Sequence, residues 1–236
     1  MAAAPPPASD GWKAGFVGGL IGALIGGLIA AGAVAWSSGY FVRSYLMENP
    51  EILPEAMEQL RERETVGVLQ QYRTALETPF HGAWAGAADG DVVLVEFFDY
   101  ACGFCRAANP DVERLLREDS RLKVVWREYP VLGPDSEQAA ILSLAAAKAG
   151  RFRPFHERLF ATARPTETAR NAAREAIGIQ PATLTEEFRA ELERNFDLAR
   201  AIGASGTPTF VIGNQVLEGA VGYEALKQAV AEARGG

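Results

Sequence analysis

Apolar and polar positions alternate along this chain in a way that separates it into a front and a back. An uninterrupted uncharged stretch runs from Ala14 to Trp36; its 23 residues at helical rise would reach about 34 Å, enough for a hydrocarbon core of about 30 Å. Residues Tyr40 to Glu77 have helical spacing, with Leu53, Met57 and Leu60, then Tyr72 and Leu76, on one stripe and Glu55, Glu58, Glu62 and Arg63 opposite. Asn49-Pro50 reads as an N-cap with a first-turn proline, and Pro54 as a break or second start. Val92 to Phe98 is apolar on both alternating faces except at Glu96, the pattern of a strand covered on both sides. Helix follows from Cys102 to Glu118, then a strand from Leu122 to Trp126, so that strand, helix and strand predict a parallel unit.

The back half reads as a helical insertion that returns to strand. Asp135 with Gln138 three residues later has the form of a capping box opening an Ala/Leu-rich helix that Gly150 ends. Helices are predicted over Pro154 to Ala161, Glu167 to Ile177 and Thr183 to Ile202, the last two stopped by Gly178 and Gly203. Gly206-Thr207-Pro208-Thr209 then leads into Phe210 to Ile212, a Gly213-Asn214 hairpin turn, Val216-Leu217 and a closing helix from Tyr223 to Ala233. A proline at the mouth of a strand cannot donate to a ladder, and only about one X–Pro bond in twenty is cis, so on frequency alone Pro208 is trans. The segment from His81 to Asp91, rich in small residues, reads as a loop, with His81 solvated; His156, between Phe155 and Leu159, reads as a packed helix residue.

Composition narrows the chemistry. A net charge of −7 without a basic cluster argues against a nucleic-acid partner. The two cysteines, Cys102 and Cys105, form a C-x-x-C pair directly after the covered strand. That places Cys102 at a helix N-terminus, where unpaired N–H groups and the macrodipole favour a thiolate, and makes it the candidate nucleophile. As a staple the pair would close a loop of about four residues, worth only about 2 kcal/mol on the chain-entropy model. A zinc site would need four ligands, and only His81 and His156 remain, both remote in sequence; a two-coordinate Cu(I) site is the other metal reading. Glu96, six residues before Cys102, is either a strand-end carboxylate reaching solvent or an acid placed to exchange a proton with a thiol, with its pKa raised by desolvation.

Ala33-Val34-Ala35 has the small-residue form of a cleavage site, so residues 14–36 are either a retained anchor or a long signal peptide; both export the rest. Lys13 before the span and Arg43 after it favour a cytoplasmic N-terminus only slightly. A disulfide-exchanging dithiol is most useful in an oxidising compartment such as a periplasm. The four-residue glycine spacing of Gly18, Gly22 and Gly26 would let two such helices approach closely, and the 37–82 helical segment is read as a stalk or oligomerisation element or as a helix docked on its own domain.

Taken together, Glu-Phe-Phe-x-x-x-Cys-x-x-Cys, the helical insertion and Gly-Thr-Pro-Thr-Phe about a hundred residues later resemble the DsbA-like branch of the thioredoxin superfamily. The resemblance, which spans about Val92 to Ala233, implies an α/β thioredoxin-like fold with an inserted helical domain; with the front read from composition and hydropathy, the chain divides into disordered residues 1–13, anchor or signal 14–36, stalk 37–82, thioredoxin-like parts 83–134 and 204–236, and the insertion 135–203. It implies that Cys102 attacks, Cys105 resolves, Glu96 is the buried acid, Pro208 is a cis proline beside the pair and the Thr207 backbone pairs with a bound peptide. No metal or nucleotide cofactor is implied. Partners would be exported cysteine-containing proteins and a membrane redox partner. Gly103-Phe104 resembles the dipeptide of a disulfide isomerase more than that of the DsbA oxidase, which carries proline and histidine. Without that histidine the dithiol is expected to be less oxidising than DsbA's. Residues Arg43 to Glu62, with Tyr45-Leu46 and Asn49-Pro50-Glu51-Ile52-Leu53, resemble the N-terminal region of ScsC-like proteins, which serves oligomerisation and isomerase behaviour.

Overall fold

The structure, a computed structural model, describes residues 41–235. The predicted anchor at 14–36, its glycine row and the stretch before it lie outside the described residues. No helix among the described residues is long and apolar enough to cross a membrane. The chain divides into two compact units, Met1–Leu60 and Arg61–Gly236.

In the first unit, residues 41–48 are helical and α1 (Ile52–Glu77) begins after a short break. Asn49 does not cap α1 as its sequence context predicts. Its backbone N–H and its Nδ2 both donate to the Tyr45 carbonyl, each at 2.9 Å, so it closes the helix behind it. Tyr45, Met47, Leu53, Met57 and Leu60 are exposed.

The larger unit takes in the rest of α1 and is built on a five-stranded sheet in the order β1 (Trp84–Gly86), β3 (Leu122–Glu128), β2 (Val92–Phe98), β4 (Thr209–Ile212), β5 (Gln215–Glu218). β2 and β3 are parallel, with Glu96 opposite Trp126 and Phe98 opposite Glu128. The other pairs are antiparallel. The first of these strands corrects the loop reading of 81–91: Trp84 to Gly86 pair with Val125 to Lys123. Helices α2 (Gly103–Glu118), α3 (Pro134–Lys148), α4 (Phe152–Phe160), α5 (Glu167–Ala176), α6 (Glu186–Ala201) and α7 (Tyr223–Gly235) complete the unit. The capping box predicted at Asp135 is absent. Gly133, at φ 108, is the N-cap, Pro134 opens α3, and Asp135 pairs instead with Arg170 at 2.7 Å. α4 starts two residues earlier than its pattern suggested, and α6 is capped by Thr185, whose side chain accepts the Phe188 N–H.

Alternation along β2 explains why the run is apolar throughout. Leu94 and Phe98 join the core on the side of α2, α4 and α7, together with Val124, Trp126, Phe210 and Ile212. Val95 and Phe97 join the other side, packed with Val125, Val211, Leu198 and the α1 residues Leu69 and Leu76. By the same alternation Glu96 faces the α2 side and Arg127 faces α1 and α6.

Arg127 shows what the second side requires. α1 has no basic residue in its last turn, and a helix end leaves its final carbonyls without intrahelical partners. Arg127, 2% exposed, supplies the donors from the neighbouring strand. Its guanidinium donates to the carbonyls of Leu76 (3.0 Å), Thr78 (2.6 Å) and Ala75, and to Glu191 (3.2 Å) and Asn195 (2.9 Å). A buried cation at a helix C-terminus opposite a buried carboxylate is well placed for the dipole, although desolvation still lowers its pKa to about 10. Arg127→Met should therefore destabilise the chain by about 3 kcal/mol, the low end of the cost of breaking a buried pair, because Arg194 still holds Glu191 at 2.7 Å. Equilibrium urea unfolding checks this, and a loss below about 1 kcal/mol, the net worth of an ordinary hydrogen bond, would show that Arg127 does not fasten the end of α1.

Candidate active site

β2 ends at Phe98, and four residues later Cys102 occupies the N-cap of α2 in extended conformation, φ −75 and ψ 119. Asp99 makes that turn. Its carboxylate accepts the N–H of Ala101 at 2.7 Å, and across the site those of Val131 and Leu132 at 2.9 and 3.0 Å. A buried carboxylate with three backbone donors fixes both segments against each other. Sequence reasoning missed Asp99; an aspartate three residues before a helix N-cap is the local signal that could have found it, while its partners at 131 and 132 have no local signature.

The two sulfurs are free thiols in unequal surroundings. Cys102 is 6% exposed and Cys105, in the first turn of α2, is 0% exposed. The Cys102 Sγ–H donates to the Thr207 carbonyl at 3.2 Å. The Thr207–Pro208 bond is cis, against the frequency argument and as the resemblance implies. The loop bearing it is held by Thr209 Oγ1 donating to the Gly206 carbonyl at 2.8 Å and by the Gly219 N–H donating to the Pro208 carbonyl at 2.8 Å. Residues separated by about a hundred positions in sequence thus meet at one end of the neighbouring inner strands β2 and β4. Phe104 between the sulfurs is 67% exposed, and a Cβ added at Gly103 would meet nothing within 4 Å, so the outer side of the dithiol is open.

Behind the sulfurs the site is polar and buried. Glu96 is 1% exposed, and its Oε2 accepts the indole N–H of Trp126 at 3.0 Å. Burial raises its pKa to about 8; the indole hydrogen bond opposes that shift and the charge of Glu113 adds to it. Burial likewise pushes the Cys105 thiol up, and the charge of Glu96 pushes it further. The pair is therefore electrostatically linked: each acid makes ionisation of the other harder. A strand-end carboxylate reaching solvent, one of the two sequence readings of Glu96, is not what the fold contains.

A second buried network lies alongside. Tyr100 Oη is 2.9 Å from Ser143 Oγ and 3.1 Å from His156 Nδ1, while His156 Nε2 is 3.2 Å from Asn109 Oδ1 of α2. His156 is fully buried against Phe98, Trp126, Phe152 and Phe160. Desolvation, with the Arg153 charge second, holds its pKa well below the usual imidazole value, so it is a neutral packing residue as its position on the helix predicted. His81 lies apart, half exposed and 3.0 Å from Glu187. Among the described residues no group of three or more His, Cys, Asp or Glu is placed to hold a metal ion.

The comparisons with known proteins converge on the same elements. The family described as DSBA-like thioredoxin domain matches residues 93–231, and that described as Copper resistance protein ScsC N-terminal domain matches residues 39–65. A linker-deletion and point mutant of ScsC from Proteus mirabilis superposes with a TM-score of 0.70 at 30% identity, over 81% of this chain and 90% of that one. Disulfide bond formation protein D of Bacillus subtilis is 27% identical over 163 residues, 61% of this chain and 73% of that protein. Na(+)/H(+) antiporter NhaA 3 of Salinispora tropica is 31% identical over 162 residues, 63% of this chain; the chain spans only 24% of that protein's length. By its sheet, its C-x-x-C helix, its cis-proline loop and these matches, the chain belongs to the DSBA-like thioredoxin domain family.

Proposed function

We propose that this chain is an exported thiol–disulfide oxidoreductase that exchanges disulfides with cysteine-containing proteins through Cys102 and Cys105. One observation carries the reading: a thiol at a helix N-cap, 3.2 Å from the carbonyl that precedes a cis proline, backed by a second thiol with no exposure. Only Cys102 can meet a macromolecular disulfide. Its thiolate attacks one sulfur of the substrate, the other substrate sulfur leaves as a thiolate, and a mixed disulfide forms. Cys105 then loses its proton to Glu96 and attacks Cys102, the Cys102–substrate bond breaks, and the second substrate sulfur departs. Two electrons pass to the substrate, and the reverse sequence oxidises a dithiol. The Thr207 carbonyl, occupied by the Cys102 thiol in the free chain, is the backbone group on which a bound peptide strand would pair.

The finer assignments belong to the same proposal. The direction of exchange, oxidase or isomerase, is set by the redox partner, a membrane protein in this reading. The compartment is the periplasm, with residues 14–36 as anchor or cleaved signal. The apolar side chains exposed over residues 41–60, in the segment that matches the ScsC N-terminal family, favour self-association. The copper-handling alternative takes its support from that family's description. Against it stands Cys105: a buried thiol whose pKa is pushed up is a poor source of the thiolate a soft metal requires.

Three experiments test the proposal. Cys102→Ser should abolish exchange with a peptide disulfide, whereas Cys105→Ser should accumulate mixed disulfides visible on non-reducing gels; a Cys105 variant that accumulates none would reverse the assignment of roles. The equilibrium with glutathione and the refolding of a scrambled multi-disulfide protein, measured together, separate oxidase from isomerase. For Glu96 the sign follows from linkage. Its folded pKa of about 8 lies above the unfolded value of 4.5, so the folded state holds a proton that the unfolded state has released, and stability falls as pH rises between them. Glu96→Gln should remove that slope, about 1.4 kcal/mol per pH unit. The variant should gain on the wild type from pH 5 to pH 8 in urea unfolding and lose its advantage below the unfolded value. A parallel pair of stability curves would mean that Glu96 is ionised in the folded chain.

A further inference from the structure

The proton that Glu96 takes from Cys105 has to leave a carboxylate that is 1% exposed. Helix α2 carries a route. Cys105, Asn109 and Glu113 follow one another at intervals of four residues and so form a row on one side of the helix. Asn109 is committed to His156. Glu113 is not fully committed: its side chain is 17% exposed, its Oε2 accepts from Arg153 at 2.7 Å, and its Oε1 is buried without a hydrogen-bond partner. An unpartnered buried carboxylate oxygen is costly and rare in native proteins. Arg153 in turn lies over the Trp126 ring, its Cζ 5.3 Å from the centroid, and the same indole holds Glu96 through its N–H. Glu96, Trp126, Arg153 and Glu113 are thus consecutive contacts, and the Glu113 charge acts on Glu96.

We propose that Glu113 is a positioning residue for the transferred proton: acting through Glu96, it receives at buried Oε1 the proton released by Cys105 and gives it up to solvent as its partly exposed side chain turns away from Arg153. The inference rests on the oxidoreductase reading. The steps balance. The Cys105 S–H bond breaks and an O–H bond forms on Glu96 while the Cys105–Cys102 bond replaces the Cys102–substrate bond; Glu96 then loses that proton by way of an intervening water to Glu113, and Glu113 loses it to bulk water. In the reverse direction of exchange the proton returns by the same path. Arg153 keeps the carboxylate pointed inward by holding Oε2. Burial raises the pKa of Glu113, with Arg153 opposing and Glu157 adding to the shift, which suits a group that must be protonated and deprotonated in each cycle.

Glu96 is faced by Cys105 and Glu113 of α2, Tyr100 of the active-site turn and Trp126 of β3; Glu113 is faced by Arg153 and Glu157 of α4 and by Arg117 of its own helix. The test uses the full chain in single turnover with a peptide disulfide that carries a fluorophore on its second sulfur, followed from pH 5 to pH 9. It is paired with infrared titration of the Glu96 carboxyl, identified by its loss in Glu96→Gln. Glu113→Gln keeps the shape and the bond from Arg153 but cannot carry a proton. It should slow fluorophore release on the order of tenfold, below the 10²- to 10⁴-fold of a group that transfers the proton directly, and move the Glu96 titration to lower pH. Glu113→Asp should restore most of the rate, and Glu157→Gln, more exposed on the same arginine, should leave both readouts near wild type. Wild-type release in Glu113→Gln at every pH, an unmoved Glu96 titration, or equal slowing by Glu157→Gln each overturns the relay and leaves the oxidoreductase reading standing. A wild-type chain that releases no fluorophore overturns that reading and the relay with it.

Discussion

The covering of β2 on both faces is the constraint from which the rest of the site follows. Packed between α2, α4 and α7 on one side and α1 and α6 on the other, the strand is buried at every position but Val93, so a polar group from Leu94 onward must find a partner inside the protein. Glu96 is such a group, and its protonation is governed by that burial. Because α2 starts where β2 ends, the same covering desolvates the second cysteine while leaving the first at the rim. The chemical inequality of the two sulfurs is therefore a consequence of where a helix sits on a sheet. Arg127 answers the same constraint on the opposite face, where its guanidinium completes the end of α1 and meets Glu191 and Asn195.

What could be read from the chain alone was whatever is encoded locally or by strong periodicity. The seven-residue apolar run, the helix start after it and the Thr-Pro before a Gly-Asn hairpin lie within a few residues of their own signals, and β2, α2, β4 and β5 formed where those signals stand. β1 escaped because three residues flanked by glycine and alanine have too little side chain to show alternation; their strand character comes from pairing with β3, about forty residues on. The helix opening at Pro134 was misplaced by one local motif competing with another: Asp135 and Gln138 fit a capping box, but a proline at the first helical position and Gly133 at positive φ define the start, which freed Asp135 for Arg170. Asn49 was misread for a similar reason, since its side chain can close a helix as well as open one.

The site was legible to the extent that its residues carry reactive atoms. The C-x-x-C pair, Glu96 and Pro208 stand out by type and spacing; Trp126, Asp99, Tyr100 and Glu113 do not. Trp126 reads as a large apolar residue at the end of a strand. Its importance arises only from the register that sets it opposite Glu96. Asp99 reads as a turn former, and only the fold shows that its second oxygen binds the loop after β3.

The choice of donor to Glu96 has a physical logic of its own. A cation in place of Trp126 would favour the ionised carboxylate and draw its pKa toward or below the ordinary range, leaving a group that could not hold a proton at neutral pH. An apolar residue would leave the carboxyl unpartnered and desolvated, raising the pKa further and adding the cost of an unsatisfied polar group. An indole N–H lies between these limits: it satisfies one oxygen with a neutral dipole, and burial still dominates, so the carboxyl titrates near 8. The arginine that a cation-based design would need is present, but it lies over the face of the ring, where it holds Glu113 instead. With the neutral donor at the ring's edge and the cation over its face, the inner acid stays protonatable while the outer acid stays paired.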